Sequence, residues 1–432
     1  MLSKPVLRTS GLILVMAIVS FALANQFTMW HMEARPTRVA VIQEVVDAFN
    51  AEHPEYAINV EVQGWGEVFV QATAALLAGR PPDFMFTTPD LMMNLHLLGG
   101  VQPVTSLMED LLEQYSWFES AIDPFHFDDE YWAVPLYGMS EVLWYRKDLF
   151  EQAGLDPDAP PATWSELLET ADALIASGVV EYPIAVAGDW HLATTQQIYP
   201  LMVVNNAEHI FDAEGNVVFD NPRTVEAYEM YKKLFAMSPP GSEAWQWDQP
   251  IAALVEGRVA MVIEKGQYTE QWDLRTDLPP EYLGAAPIPQ PDEGGQRATV
   301  YYSNAIQLMS LDPEAHEAFE VFVRFLTEPE NHGHLLTAAP GFFLPVTDEA
   351  AQSGTLLGNP VVQRHMDKFE LMIEESRNGM LYGFTQRPYH PFIGRVTAQD
   401  IFAWAAHRMV LEDLSPEEAV RLGAERIDRA IR

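Results

Sequence analysis

Apolar and polar positions along this chain switch repeatedly between a period near two and a period near 3.6, the pattern of strands alternating with helices. Phe27-Thr28-Met29-Trp30-His31 reads as a short first strand. Beyond Pro36, the residues Val39, Ile42, Val46 and Phe49 fall on one helical stripe, which His53-Pro54 closes. Ile58, Val60 and Val62 then alternate with Asn59, Glu61 and Gln63, as in a strand buried on one face. A helix is expected from about Glu67 to Leu77, a third strand over Asp83–Phe86, and another helix from Pro89. This β-α-β-α-β order predicts parallel strands with right-handed crossovers.

Trp132–Pro135 and Glu141–Tyr145 read as two extended segments, after which the pattern restarts. Thr163-Trp164-Ser165-Glu166 has the spacing of a capping box, with Thr at the N-cap and Glu three residues on. Strands are expected at Pro183–Val186 and Val259–Ile263. Asn221-Pro222, Asp312-Pro313 and Ser415-Pro416 each pair a capping side chain with a proline that suits the first helical turn. The C-terminal third is mostly helical. Pro- and Gly-rich stretches at Asp156–Pro161, Pro239–Gly241 and Pro287–Gly295 are turns within a fold, not long linkers. No internal repeat is present.

With 432 residues, two or three domains are expected. Residues 1–24 read as a cleaved signal peptide: Lys4 and Arg8 precede an apolar run from Gly11 to Leu23, and Ala22-Leu23-Ala24 supplies the small-x-small cleavage pattern. The apolar run is shorter than the ~20 residues of a membrane-spanning helix. The chain has no cysteine, which excludes disulfides, thiol chemistry, cysteine metal sites and lipid attachment at a cysteine. A soluble periplasmic location follows. The formal charge is −37; loss of residues 1–24 removes two cations and no anions, leaving about −39. Such a surface repels nucleic acid and anionic lipid, and disfavours a strongly anionic ligand unless a local arginine site compensates. Arginine looks scarce near the expected cleft.

Five segments, in order, resemble family 1 of the bacterial extracellular solute-binding proteins, the maltose-binding-protein-like group. They are Val45-Val46-Asp47-Ala48-Phe49-Asn50-Ala51-Glu52-His53-Pro54; Leu77-Ala78-Gly79-Arg80-Pro81-Pro82-Asp83-Phe84-Met85-Phe86; Tyr131-Trp132-Ala133-Val134-Pro135 with Leu143-Trp144-Tyr145-Arg146-Lys147-Asp148-Leu149-Phe150; Pro161-Ala162-Thr163-Trp164-Ser165-Glu166-Leu167; and Leu254-Val255-Glu256-Gly257-Arg258-Val259-Ala260-Met261 with Gly266. The resemblance covers nearly all of the chain after the signal segment. It implies an α/β, two-lobe periplasmic-binding-protein fold of type II, with discontinuous lobes joined by a hinge. Carried over by position, the crossings fall near Tyr137, Tyr301 and Phe343. One lobe is then about 26–137 plus 301–342, and the other about 138–300 plus 343–432.

The resemblance also implies the role: the substrate-binding component of an ABC importer, a monomer that captures a carbohydrate between its lobes and delivers it to the membrane permease. Sugars offer apolar C–H faces to aromatic rings and hydroxyls to Asp, Glu, Asn, Gln and Arg. Trp30 and His31 end the first strand, where its loop enters the cleft. Trp65 lies between Gly64 and Gly66, a turn suited to displaying a ring. Asp90 follows the third strand. Tyr137 flanks the first crossing, and Glu141 matches a sugar-binding carboxylate of the family. Trp247 sits in a loop of the second lobe, and Tyr268 matches an aromatic platform. Tyr302 and Asn304 lie at the second crossing, where Tyr301-Tyr302 departs from the paired glycines of many relatives. Arg387 before Pro388 is a further candidate for sugar hydroxyls. Trp144 and Tyr145 read as core.

No GxSxG, HExxH, GxGxxG or P-loop pattern occurs, so no catalytic residue, cofactor or metal site is assigned. His332 and His334, two apart, read as a solvated helix end. The alternative to a transport role is a secreted carbohydrate-active enzyme with an aromatic, acidic cleft, which would turn its sugar over.

Overall fold

The computed structural model describes residues 26–432, so the expected signal segment lies outside the described residues. Its strands are β1 (Phe27–His31), β2 (Ile58–Val62), β3 (Phe84–Thr87), a small hairpin of β4 (His126–Phe127) and β5 (Glu130–Tyr131), β6 (Val134–Arg146), β7 (Met261–Lys265), β8 (Leu283–Ala286), β9 (Thr299–Leu308) and β10 (Gly379–Met380). Eight of these form one sheet in the order β2-β1-β3-β9-β6-β7, with β8 also paired to β6 and β10 to β9.

The N-terminal part folds as its periodicity requires. β1 is parallel to both β2 and β3, and the helix Pro36–Glu52 packs Ile42, Val45, Val46 and Phe49 inward. The Asn50 side chain brackets the start of β2, accepting from Ile58 N–H at 2.8 Å and donating to Ile58 C=O at 3.0 Å. Asp83 joins the entry of β3 to β1 by accepting from Thr28 N–H at 2.9 Å. β2 is a sheet edge, so alternation decays along it: Ile58 is buried, Val60 half-buried and Val62 exposed. The capping box at Thr163 and Glu166 forms as expected. The side chains of Asn221, Asp312 and Ser415 each accept a backbone N–H at the start of their helices.

Two long strands carry the chain from one half of the sheet to the other. β6 pairs with β9 over Val134–Ser140, then with β7 and β8 over Glu141–Arg146. β9 pairs with β3 at one end and β10 at the other. Every residue of β6 and β9 is buried. A third segment runs beside β6, where Leu344 exchanges both backbone hydrogen bonds with Gly138, each 2.9 Å. Gly138 is required at this point: a Cβ there would stand 1.8 Å from the Tyr301 hydroxyl.

Three expectations are corrected. Trp132–Pro135 and Glu141–Tyr145 are not separate segments; Val134, Pro135 and all of Glu141–Tyr145 belong to the single strand β6, whose burial on both faces removes the alternation that marks strand ends. Pro183–Val186 does not make a strand. Only Ile184 bridges to Met261, while the Pro183 carbonyl accepts from both Ala260 and Met261 N–H at 3.0 and 2.9 Å. Proline has no N–H to continue a ladder. His332 is not at a solvated helix end: it is fully buried, with Nε2 2.5 Å from the Leu136 carbonyl. His334 is half-buried, 3.4 Å from Glu44.

Candidate functional site

A cavity of about 580 Å³ opens where the segments after β1, β2 and β3 face the segments around β7 and Tyr382. The middles of β6 and β9 supply Met139, Tyr302 and Asn304 to its wall. The ends of parallel strands place loops on one edge of the sheet, which is why residues distant in sequence converge there.

On the β1 side the organising group is Glu33, two residues beyond the strand and only 3% exposed. Its Oε2 pairs with Arg38 Nη1 at 2.7 Å. Its Oε1 accepts from Trp65 Nε1 at 3.2 Å and from the Tyr137 hydroxyl at 3.1 Å. One carboxylate thus fixes a cation, an indole on the cavity wall and a phenol behind it. Arg38 lies over the Phe342 ring, 4.6 Å from its centroid. Asp90, in the first turn of the helix Pro89–Leu97, is buried and accepts from the Thr88 hydroxyl. Burial holds its carboxyl above the usual range, against the opposing pull of these hydrogen bonds.

On the facing side the Gln196 carbonyl oxygen accepts from Trp247 Nε1 at 2.8 Å and from Lys265 Nζ at 2.5 Å. Lys265 ends β7 and sits 5.6 Å from the Trp247 ring and 5.5 Å from the Tyr302 ring. Desolvation lowers its pKa, opposed by Glu264 and Glu141. Desolvation in turn lifts Glu264 to about 7. Arg35 and Asp248 meet at 3.2 Å across the mouth of the cavity.

Of the residues singled out in the sequence, Trp65, Asp90, Trp247, Tyr302 and Asn304 line this cavity. Both amide atoms of Asn304 are buried without a protein partner. The other six lie elsewhere. Trp30 projects from the sheet beside Glu61, to which its Nε1 donates at 2.8 Å. His31 is buried; its Nδ1 accepts from Glu33 N–H at 3.2 Å, so it shapes the loop that presents Glu33. Tyr137 stands behind the wall, stacked on Phe343 with centroids 3.7 Å apart. Glu141 is fully buried opposite Lys265 in the β6–β7 register, where desolvation holds its carboxyl well above the usual range. Tyr268 is a core residue, stacked on Trp144 at 5.4 Å and donating to Glu264 at 2.9 Å. Arg387 pairs with Asp123 and donates to the His126 carbonyl at 2.9 Å, away from the cavity.

The sequence reading did not single out Glu33, Arg35, Arg38, Gln196, Lys265 or Tyr382, all of which line the wall. The apparent scarcity of arginine near the cleft is corrected by Arg35 and Arg38. A charged residue on the apolar stripe of the first helix was the available signal, since Arg38 shares the buried face with Ile42 and Val45. Among the described residues no group of three or more His, Cys, Asp or Glu side chains is placed to hold a metal ion, and no helix is long and apolar enough to cross a membrane.

Residues 34–333 match the family model described as bacterial extracellular solute-binding protein. The sn-glycerol-3-phosphate-binding periplasmic protein UgpB of Shigella dysenteriae is 26% identical over 367 residues, covering 79% of each chain. The maltose-bound MalE3 of T. maritima superposes with a TM-score of 0.77 at 19% identity, over 93% of this chain and 99% of that one. A tagatose-bound ABC transporter solute-binding protein of Thermotoga lettingae gives 0.75 at 21% identity, over 94% and 100%. The chain belongs to the bacterial extracellular solute-binding protein family and has its two-lobed, type II periplasmic-binding-protein fold.

Proposed function

We propose that the protein is the substrate-binding component of an ABC importer, capturing a mono- or oligosaccharide between its lobes and delivering it to the membrane permease. One observation carries this reading. The cavity joins ring faces from both sides, Trp65 and Trp247, to polar groups that have no other partner, above all the Asn304 amide. Buried polar atoms are paired in nearly all native structures, so an unpaired amide beside aromatic faces fits a hydroxyl-bearing guest. The names of the relatives, an ABC transporter solute-binding protein with tagatose and a maltose-bound protein, support the same class of ligand.

In this reading the lobes are residues 26–137 with 301–342 and residues 138–300 with 343–432. They close about β6, β9 and the segment at Phe343, and a ligand favours the closed form by its differential affinity for it. The protein acts as a periplasmic monomer after removal of residues 1–24, holds its sugar unchanged, and presents the closed lobes to the permease.

Thermal-shift titration of the purified protein against a sugar panel tests the reading, because a ligand that binds only the folded state raises the melting temperature. A concentration-dependent rise with an unaltered sugar is expected. No shift with any sugar at millimolar concentration, or release of a cleaved product, would overturn it.

A further inference from the structure

The side chain of Arg38 is buried, 6% exposed, yet engages only part of its hydrogen-bonding capacity. Its Nη1 meets Glu33 at 2.7 Å, while its Nε and Nη2 have no partner. These two N–H groups form one edge of the guanidinium, the edge that takes both oxygens of a carboxylate. The same edge of Arg146 does so here, with Nε and Nη2 on the two oxygens of Asp148 at 2.7 and 2.6 Å. Stacking over Phe342 uses the face of the Arg38 guanidinium and leaves the edge unsatisfied. Leaving charged donors buried and unpaired costs more than any ordinary missing hydrogen bond.

The charges around the cavity agree. In a chain of net charge −37, three cations line this wall, Arg35, Arg38 and Lys265, against the three carboxylates Glu33, Asp90 and Asp248. Two of the carboxylates are matched, Glu33 by Arg38 and Asp248 by Arg35. Asp90 is buried and held by Thr88 instead, and Lys265 is bonded to the neutral Gln196 with the buried Glu141 and Glu264 carboxyls behind it. The cavity therefore lacks the anionic excess of the rest of the molecule.

Resting on the carbohydrate reading above, we propose that the physiological ligand is an acidic sugar bearing one carboxylate, received by the Nε–Nη2 edge of Arg38. The Nε–Nη2 edge can take two oxygens of a carboxylate or of a phosphate alike; with Glu33, Asp90 and Asp248 already on the wall, the single charge of a carboxylate meets less repulsion than the nearly double charge of a phosphate.

Isothermal titration with matched probes tests the assignment: glucuronate against glucose, galacturonate against galactose, gluconate against glucitol, with glucose 6-phosphate as the phosphate arm. In at least one pair the acid is expected to bind about ten- to hundredfold tighter than its neutral partner, the worth of a charge-assisted hydrogen bond. Arg38→Lys keeps the charge facing Glu33 but removes the edge, and should reduce that preference about tenfold. Neutral sugars binding as tightly as their acids, a tighter sugar phosphate, or a preference unchanged in Arg38→Lys would each overturn the proposal while leaving the carbohydrate reading intact. Binding by none of the sugars, charged or neutral, would sink the carbohydrate reading itself. The acid-to-neutral ratio of the unmodified protein decides the matter even if the variant misfolds.

Discussion

Replacing Glu33 by glutamine keeps an acceptor for Tyr137 and Trp65 but removes the charge facing Arg38. Both members of the pair are almost fully enclosed, with side chains 4% and 7% exposed, so water cannot screen the cation left behind. Breaking a buried pair on one side costs about 3–5 kcal/mol, much of it the penalty of the uncompensated partner. The double variant Glu33→Gln with Arg38→Met restores neutrality at similar volume and should lie within about 2 kcal/mol of the parent. The coupling between the two changes is therefore expected to exceed about 2 kcal/mol. Urea unfolding of the ligand-free protein, followed by tryptophan emission and compared at a common slope, measures all four corners of the cycle. A Glu33→Gln loss below about 1 kcal/mol, or additive single changes, would refute the view that this carboxylate organises the wall.

Trp65→Ala should weaken sugar binding by about 1–2 kcal/mol, roughly five- to thirtyfold in Kd, without lowering the urea midpoint much; calorimetry against the best sugar checks it. Asp248→Asn removes the Arg35 contact across the mouth. Because Asp248 is 71% exposed, the loss should be at most about 1 kcal/mol and should vanish in high salt, appearing as faster ligand release in stopped flow. His332 is buried with a pKa lowered by desolvation to about 4. The unfolded chain, with a histidine near 6.5, then binds the extra proton, so His332 subtracts stability as pH falls from about 6.5 towards 4, by about 3 kcal/mol at the lower end. His332→Gln should flatten that part of the pH–stability curve relative to the parent, and identical curves would refute the argument.

Much of the architecture was written in periodicity. β1, the stripe of Ile42, Val46 and Phe49, and the proline-marked helix starts follow from local rules, and the structure has them. Where both faces of an element are covered, the local rule fails. β6 carries Ser140, Glu141 and Arg146 fully inside, and no alternation marks where it begins or ends. The cavity wall was partly legible for a similar reason. Trp65 and Trp247 stand beside turn and loop signals that display a ring. Tyr137 and Tyr268 have the same aromatic character, but they stack on Phe343 and Trp144, more than a hundred residues away in sequence. A ring's partner is a tertiary fact. Arg38 left only a faint trace: it falls on the apolar stripe of its helix, but what holds its charge there, Glu33 and Phe342, comes from outside that helix.

The place of β9 in the sheet bears on how the molecule is made. This strand lies between β3 and β6, yet it begins at Thr299, some 210 residues after β3 ends at Thr87. At the ~5–20 residues per second of ribosomal synthesis, the open side of β3 waits roughly 10–40 s for its neighbour. An unpaired strand edge as apolar as Phe84-Met85-Phe86 invites association with other chains. The sheet therefore stays open at β3 until more than two thirds of the chain has been made, and closing it depends on pairing two segments some 210 residues apart.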